Sequence, residues 1–112
     1  MNRQEIFDTV ANHLLTQKEQ SMDENGKCLY RGPNGLKCAI GCLIPDEDYS
    51  PTMEGIRISA LIDKFRDLPH YFYDYVVFLE KLQEIHDYVK VKQWKDDLII
   101  FAQKNHLLIN FD

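Results

Sequence analysis

Two apolar stripes of helical period constrain what this chain can fold into more than any other feature. Between Gln4 and Gln17 the residues Ile6, Phe7, Val10, Ala11, Leu14 and Leu15 recur at three- and four-residue spacing, which paints one face of an α-helix. The longest periodic run carries Phe72, Tyr75, Val76, Leu79, Leu82, His86 and Val89 on a second stripe. A striped helix gains most of its stability by burying that face, so these two segments are expected to pack on each other. Asn2, with Glu5 three residues on, forms an approximate capping box for the first. Ile58, Leu61, Ile62 and Phe65 predict a helix over 57–66, closed by Pro69, and Trp94, Leu98, Phe101 and Ala102 predict another over 94–104. Leu107 to Phe111 reads as a short closing strand or tail.

Between the stripes the pattern changes. Gly32-Pro33-Asn34-Gly35 is turn chemistry, since proline presets φ and Asn or Gly accepts positive φ. It suggests a short β-hairpin with arms 27–31 and 36–40. The apolar run Cys38 to Ile44 is too short to separate strand from helix by period, and its preferred reading is a short buried helix ended by Pro45. Asp46 to Pro51 forms a polar loop in which Ser50 before Pro51 can open a helical turn. The expected fold is mainly α (α+β): one globular domain over 1–112, with about four helices and a short β-hairpin around 27–40.

Composition bears mainly on partners and compartment. The chain carries 13 basic and 18 acidic residues, a formal charge of −5. This opposes the phosphate attraction that drives nonspecific nucleic-acid binding, so direct binding to DNA or RNA is disfavoured. The imbalance is concentrated in residues 44–87, where ten acids face four bases (Arg57, Lys64, Arg66, Lys81). No apolar run is long enough for a membrane helix, and the N-terminal residues lack a signal-peptide layout, so the expected compartment is the cytoplasm, with no membrane partner. Cys28, Cys38 and Cys42 are odd in number, which favours reduced thiols over a disulfide framework.

Four constellations have chemical potential, each with a plainer reading beside it. Cys38 and Cys42 share a helix face at i, i+4, and with Cys28 and His86 they offer four candidate zinc ligands, but the spacing matches no common knuckle and cysteine is also simply a small core residue. Cys38 with His86 as base is the nucleophilic version of the same set, at odds with a run that reads as buried. His86 is unusual because it lies on the apolar stripe, where a core histidine satisfied by a hydrogen bond is the plainer reading. Asp87, the next residue, projects about a hundred degrees away around the helix, which gives no reason to expect it to orient the ring. Asp46, Asp48, Ser50 and Thr52 alternate as in a calcium loop, but Pro51 stands where glycine is needed and Arg57 where a bidentate glutamate is needed. Lys90, Lys92 and Lys95 around Trp94, with Arg31 and Lys37, sketch a weak nucleic-acid surface, although Trp94 also fits the stripe of the last helix.

The segment from Cys28 through Gly32-Pro33-Asn34-Gly35 and Cys38-Ala-Ile-Gly-Cys-Leu-Ile-Pro-Asp46 resembles a family of small proteins of bacterial and phage genomes, with Tyr49, Met53-Glu54-Gly55, Leu82 to Asp87 and Trp94 continuing the likeness. The resemblance carries over no catalytic residue and no cofactor. It implies a setting on mobile elements, where small acidic proteins inhibit host machines in the anti-restriction or anti-CRISPR manner. The function expected is therefore a non-catalytic, stoichiometric protein-interaction module of unspecified oligomeric state that meets a basic partner through Asp46, Glu47, Asp48 and Glu54. The alternatives are a small metal- or thiol-dependent enzyme using Cys38, Cys42 and His86, and a weak nucleic-acid binder.

Overall fold

The computed structural model describes all residues, 1–112. Five α-helices run in the order α1 (Arg3–Gln17), α2 (Ile58–Lys64), α3 (His70–Asp74), α4 (Val76–Tyr88) and α5 (Trp94–Lys104). The capping box is complete: the Asn2 side chain accepts from the Glu5 backbone N–H at 2.8 Å, and the Glu5 carboxylate accepts from the Asn2 N–H at 2.9 Å. Two orphan donors at the helix start are satisfied reciprocally. α1 packs against α4, α5 and a 3-10 turn at Gly41–Leu43, and α4 also meets α2, α3 and α5. The apolar stripes of α1, α4 and α5 supply most of one cluster of 25 buried residues, with Phe7, Phe72 and Trp94 among its largest fully enclosed side chains. No helix is long and apolar enough to cross a membrane.

The expected single helix over Phe72–Val89 is two helices. Tyr75 leaves helical geometry at φ −126 and ψ 40, so the chain changes direction between α3 and α4. Tyr71 and Phe72, on the short first helix, then enter the core independently of the α4 stripe, with Tyr71 donating to the Leu43 carbonyl at 3.3 Å.

The expected β-hairpin around 27–40 is also corrected. Only isolated antiparallel bridges form, Arg31 with Lys37 and Met22 with Cys28. The turn itself is present, as Pro33–Gly35 with Asn34 at φ 60. A ladder does not extend from it because the backbone donors of the first arm are taken elsewhere. The Tyr30 and Arg31 N–H groups both donate to the Glu54 carboxylate, at 2.8 and 3.0 Å. The second arm meanwhile turns at Cys38–Ile40 into the buried 3-10 turn, where the sequence placed a short helix. Ser50 caps a further 3-10 turn at Pro51–Met53, as its position before Pro51 suggests.

The C-terminal residues close over α1 as a tail without strand pairing. Gln4 acts as a surrogate backbone for it, accepting from the Leu108 N–H at 2.8 Å and donating to the Leu108 carbonyl at 2.9 Å. Phe111 then rests against Phe7, ring centroids 6.1 Å apart.

Gly41 marks the tightest approach in the fold, because a Cβ there would lie 1.8 Å from the Tyr30 carbonyl oxygen. Backbone cannot yield as a flexible side chain does, so Gly41→Ala is expected to destabilise by about 3 kcal/mol or more. Gly26→Ala, at φ +79 with open space around it, is expected to lose only about 1 kcal/mol. Urea unfolding of the two variants checks this; equal losses would contradict the close packing of the 30–41 segment.

Candidate functional site

The chemistry-bearing residues gather where the C-terminal half of α4 meets the irregular 20–31 segment. His86 sits on the core face of α4 and is fully buried. Its Nε2 accepts from the Ser21 backbone N–H at 2.9 Å, and its Nδ1 lies 2.8 Å from Asp87 Oδ1. A backbone N–H can only donate, so Nε2 carries the lone pair and the proton resides on Nδ1, which donates to Asp87. The ring is thus a neutral imidazole of defined tautomer, stacked on Trp94 with centroids 5.6 Å apart. Trp94 is fully buried in turn and donates its indole N–H to the Val89 carbonyl at 3.0 Å. It serves the core and offers no face to a nucleic-acid base.

The core-histidine reading of His86 therefore describes its environment, and Asp87 does hold the ring. The angular offset between neighbours is bridged because the Asp87 carboxylate folds back along the helix. Gln83, one turn earlier, donates to the same Oδ1 at 2.6 Å. Gln83 Oε1 accepts from the Ile40 N–H at 3.0 Å, so the side chain also ties α4 to the buried 38–43 segment. Gln20 donates to the His86 carbonyl at 2.9 Å, satisfying part of the α4 C-terminus. Fully buried Ser21 extends the network by donating its hydroxyl to the Leu29 carbonyl at 2.8 Å.

Cys28, His86 and Asp87 bring one ligand atom each to within 4.8 Å of one another. This grouping differs from the expected Cys28, Cys38, Cys42 and His86 set. Cys38 is buried and accepts from the Gly41 N–H at 3.2 Å, and Cys42 donates to the Ala39 carbonyl at 3.0 Å. A cation at the observed trio would displace the Nδ1 proton. The proton would then have to move to Nε2, against the Ser21 N–H, so the existing hydrogen bonds work against a metal. Nor is the trio a thiol-based catalytic relay. The imidazole Nδ1–H is engaged by Asp87 and Nε2 by the Ser21 N–H, which leaves neither ring nitrogen free for the thiol, and burial, followed by the adjacent Asp87, pushes the Cys28 thiol up to about 12. Burial also raises Cys42, to about 12, and Cys38. A reactive thiol needs the opposite surroundings.

Cys28 and Asp87 open onto a cleft of about 280 Å³, with His86 buried behind them. Its deep side is Tyr30, Cys38, Ile40 and Ile58, all buried. Its wall is α4, which presents Glu80, Glu84 and Asp87 at i, i+4 and i+7 on one helix face. Exposed Arg57 and Tyr88 stand at the rim, the latter 83% exposed.

The acidic residues singled out from the sequence fall in two different situations. Glu54 is a structural clamp: besides the Tyr30 and Arg31 backbones it accepts from the Tyr49 hydroxyl at 2.7 Å. Asp46 is 82% exposed and paired with Arg31 at 2.8 Å and Lys37 at 4.0 Å. Glu47 and Asp48 lie beside a second, more polar recess with Lys64 and Arg66. Arg31 and Lys37 are thereby drawn to Asp46, whereas Lys90, Lys92 and Lys95 are exposed around the α4–α5 junction. Glu80 and Glu84 were not singled out from the sequence; their i, i+4 spacing on the wet face of a striped helix was the available signal. Comparison with protein-family models, curated proteins and solved structures returns no match.

At about pH 8 a thiol with a pKa near 12 holds roughly a thousandfold less thiolate than one at the ordinary value. Titration with Ellman's reagent is therefore expected to find all three thiols slow in the native protein and fast after unfolding, with no protection and no change in melting temperature on adding zinc. A native thiol reacting at the unfolded rate, or zinc raising the melting temperature, would reinstate the metal or thiol chemistry.

Proposed function

We propose that the protein is a small acidic protein-interaction module that engages a partner with a basic surface, acting as a stoichiometric inhibitor of the kind mobile elements direct against host nucleic-acid-handling or defence machines. The observation that carries the interaction is the absence of internal neutralisation. Ion pairs within the chain involve only Asp46, since the Asp87 contact is a hydrogen bond from a neutral imidazole. Glu47, Asp48, Asp63, Asp67, Asp74, Glu80 and Glu84 form no ion pair within the fold, although Lys64 and Arg66 share the polar recess of Glu47, Asp48 and Asp67. Surface charge left unpaired does little for stability but steers association with a complementary surface. The inhibitor setting rests on the likeness of the Cys28–Asp46 segment to small phage and bacterial proteins. Interference with a basic nucleic-acid channel is the mode that charge of this sign supports.

Affinity capture at low and high ionic strength tests this, using the wild type beside a variant with Glu47→Lys, Asp48→Lys, Glu80→Lys and Glu84→Lys. A partner held stoichiometrically by the wild type at low salt is expected to bind the variant about tenfold or more weakly, and to be released as salt rises. Capture indifferent to both salt and charge reversal would remove the reading.

A further inference from the structure

Asp87 is a largely enclosed carboxylate that the fold supplies with hydrogen-bond donors but with no Lys or Arg partner. Its side chain is only 19% exposed, yet its neighbours are neutral donors: the Gln83 amide, the His86 imidazole held in its neutral tautomer, and the Cys28 thiol. The Gln83 amide and the His86 Nδ1–H both donate to Oδ1, which fixes the carboxylate as their acceptor. A largely enclosed charge without a counter-ion is costly, and a cation supplied from outside would offset that cost.

The cleft beside it has the shape and chemistry for such a cation. Its volume, about 280 Å³, is at the small end of ligand pockets, which run from roughly 300 Å³ upward. This is room for one side chain rather than a large cofactor. Glu80 and Glu84 line the same wall, and neither makes a hydrogen bond or ion pair within the chain. As like charges at i, i+4 they cost α4 a few tenths of a kcal/mol. Lys81, the only lysine or arginine of α4, does not relieve them, and Arg57 at the rim forms no ion pair. Ile56, Ile58 and Tyr30 supply an apolar surface along which an aliphatic stem can lie, and the Tyr88 ring stands free at the mouth.

We propose that this cleft is a socket for an arginine side chain of the partner. The guanidinium enters between Asp87, Glu84 and Glu80, and the methylene stem covers Ile56 and Ile58. Arginine fits better than lysine because several carboxylates follow one another along a single wall of the site, which suits a fork of several donors, and because an exposed tyrosine ring favours stacking by a flat cation. The inference rests on the interaction-module reading and names the point at which the partner is gripped.

The test uses the full chain and blocked Gly-Arg-Gly peptide, followed by amide chemical shifts. The arginine peptide is expected to perturb amides of Leu29–Tyr30, Ile56–Ile58 and Glu80–Tyr88, and to slow alkylation of Cys28 at alkaline pH. The matching citrulline peptide, which keeps the shape and loses the charge, is expected to do neither. Glu80→Gln with Glu84→Gln, which removes no hydrogen bond of the fold, is expected to weaken binding about tenfold. Silence of these amides at millimolar peptide, equal binding of the citrulline peptide, or equal binding of the lysine peptide or free spermidine would overturn the assignment. Partner capture that survives such a result leaves the interaction module standing with a different grip. Arginine binding without any salt-sensitive partner leaves the socket and removes the module.

Discussion

The buried imidazole of His86 is the junction on which the arrangement of this protein depends. It joins three parts of the chain that share no secondary structure: α4 through its own backbone, the irregular 20–31 segment through the Ser21 N–H, and α5 through Trp94. Each ring nitrogen has one partner of fixed role, so the side chain is fully satisfied in one protonation state and one tautomer. A buried polar group satisfied in this way specifies a unique arrangement, since any displacement of the loop leaves a backbone donor or an imidazole nitrogen unpaired in the core. The position of Asp87, and through it the form of the cleft, follows from the same contacts.

Glu54 has the corresponding role for the segment before the cleft. One carboxylate replaces a strand partner for Tyr30 and Arg31 and holds the Tyr49 hydroxyl as well. That substitution explains how a chain with hairpin-turn chemistry at Pro33–Gly35 avoids a β-ladder while the Tyr30 and Arg31 N–H groups still find an acceptor. It also fixes the Tyr30 carbonyl, against which Gly41 packs so closely that no side chain fits. The irregular third of the molecule is thus held by side-chain acceptors in place of a ladder, and it can present both a buried turn and one face of a cleft within a short stretch of chain.

The helices were legible in the sequence because their signals are local. Asn2 with Glu5, the stripe Ile6 to Leu14, and the stripe Trp94 to Ala102 each depend on spacing within one element. The break at Tyr75 was not, because Phe72 and Tyr75 continue the apolar spacing of α4 and no Pro or Gly marks the change in direction. The hairpin failed for the opposite reason: its turn was read correctly, but the competitor for its backbone donors, Glu54, lies more than twenty residues away in sequence. Of the site, His86 stood out as a polar residue on an apolar stripe. Its partners Ser21 and Asp87 did not, one being contacted through a backbone N–H that every residue possesses and the other facing away in an ideal helix. Glu54 looked like an exposed acid and is a clamp, because a charge pattern records composition and not which oxygen atoms are occupied.

The separation of the acids into occupied and unoccupied groups is what gives the charge of the chain a direction. Carboxylates that accept backbone or ring N–H groups, as Glu54 and Asp87 do, are held in place by the fold. Those on the outer turns of α4, Glu80 and Glu84, contribute nothing to it and repel one another. Only the second group can change its energy appreciably when a cation arrives, and only Asp87 belongs to both, being fixed by donors on one side and facing the cleft on the other. An anion that is already ordered and partly desolvated loses little freedom on pairing, so the gain from a single well-placed cation is larger there than at an exposed loop acid such as Glu47. In the proposed interaction, specificity would come from this one rigid carboxylate beside apolar surface, and the remaining negative charge would serve to bring a basic partner toward it.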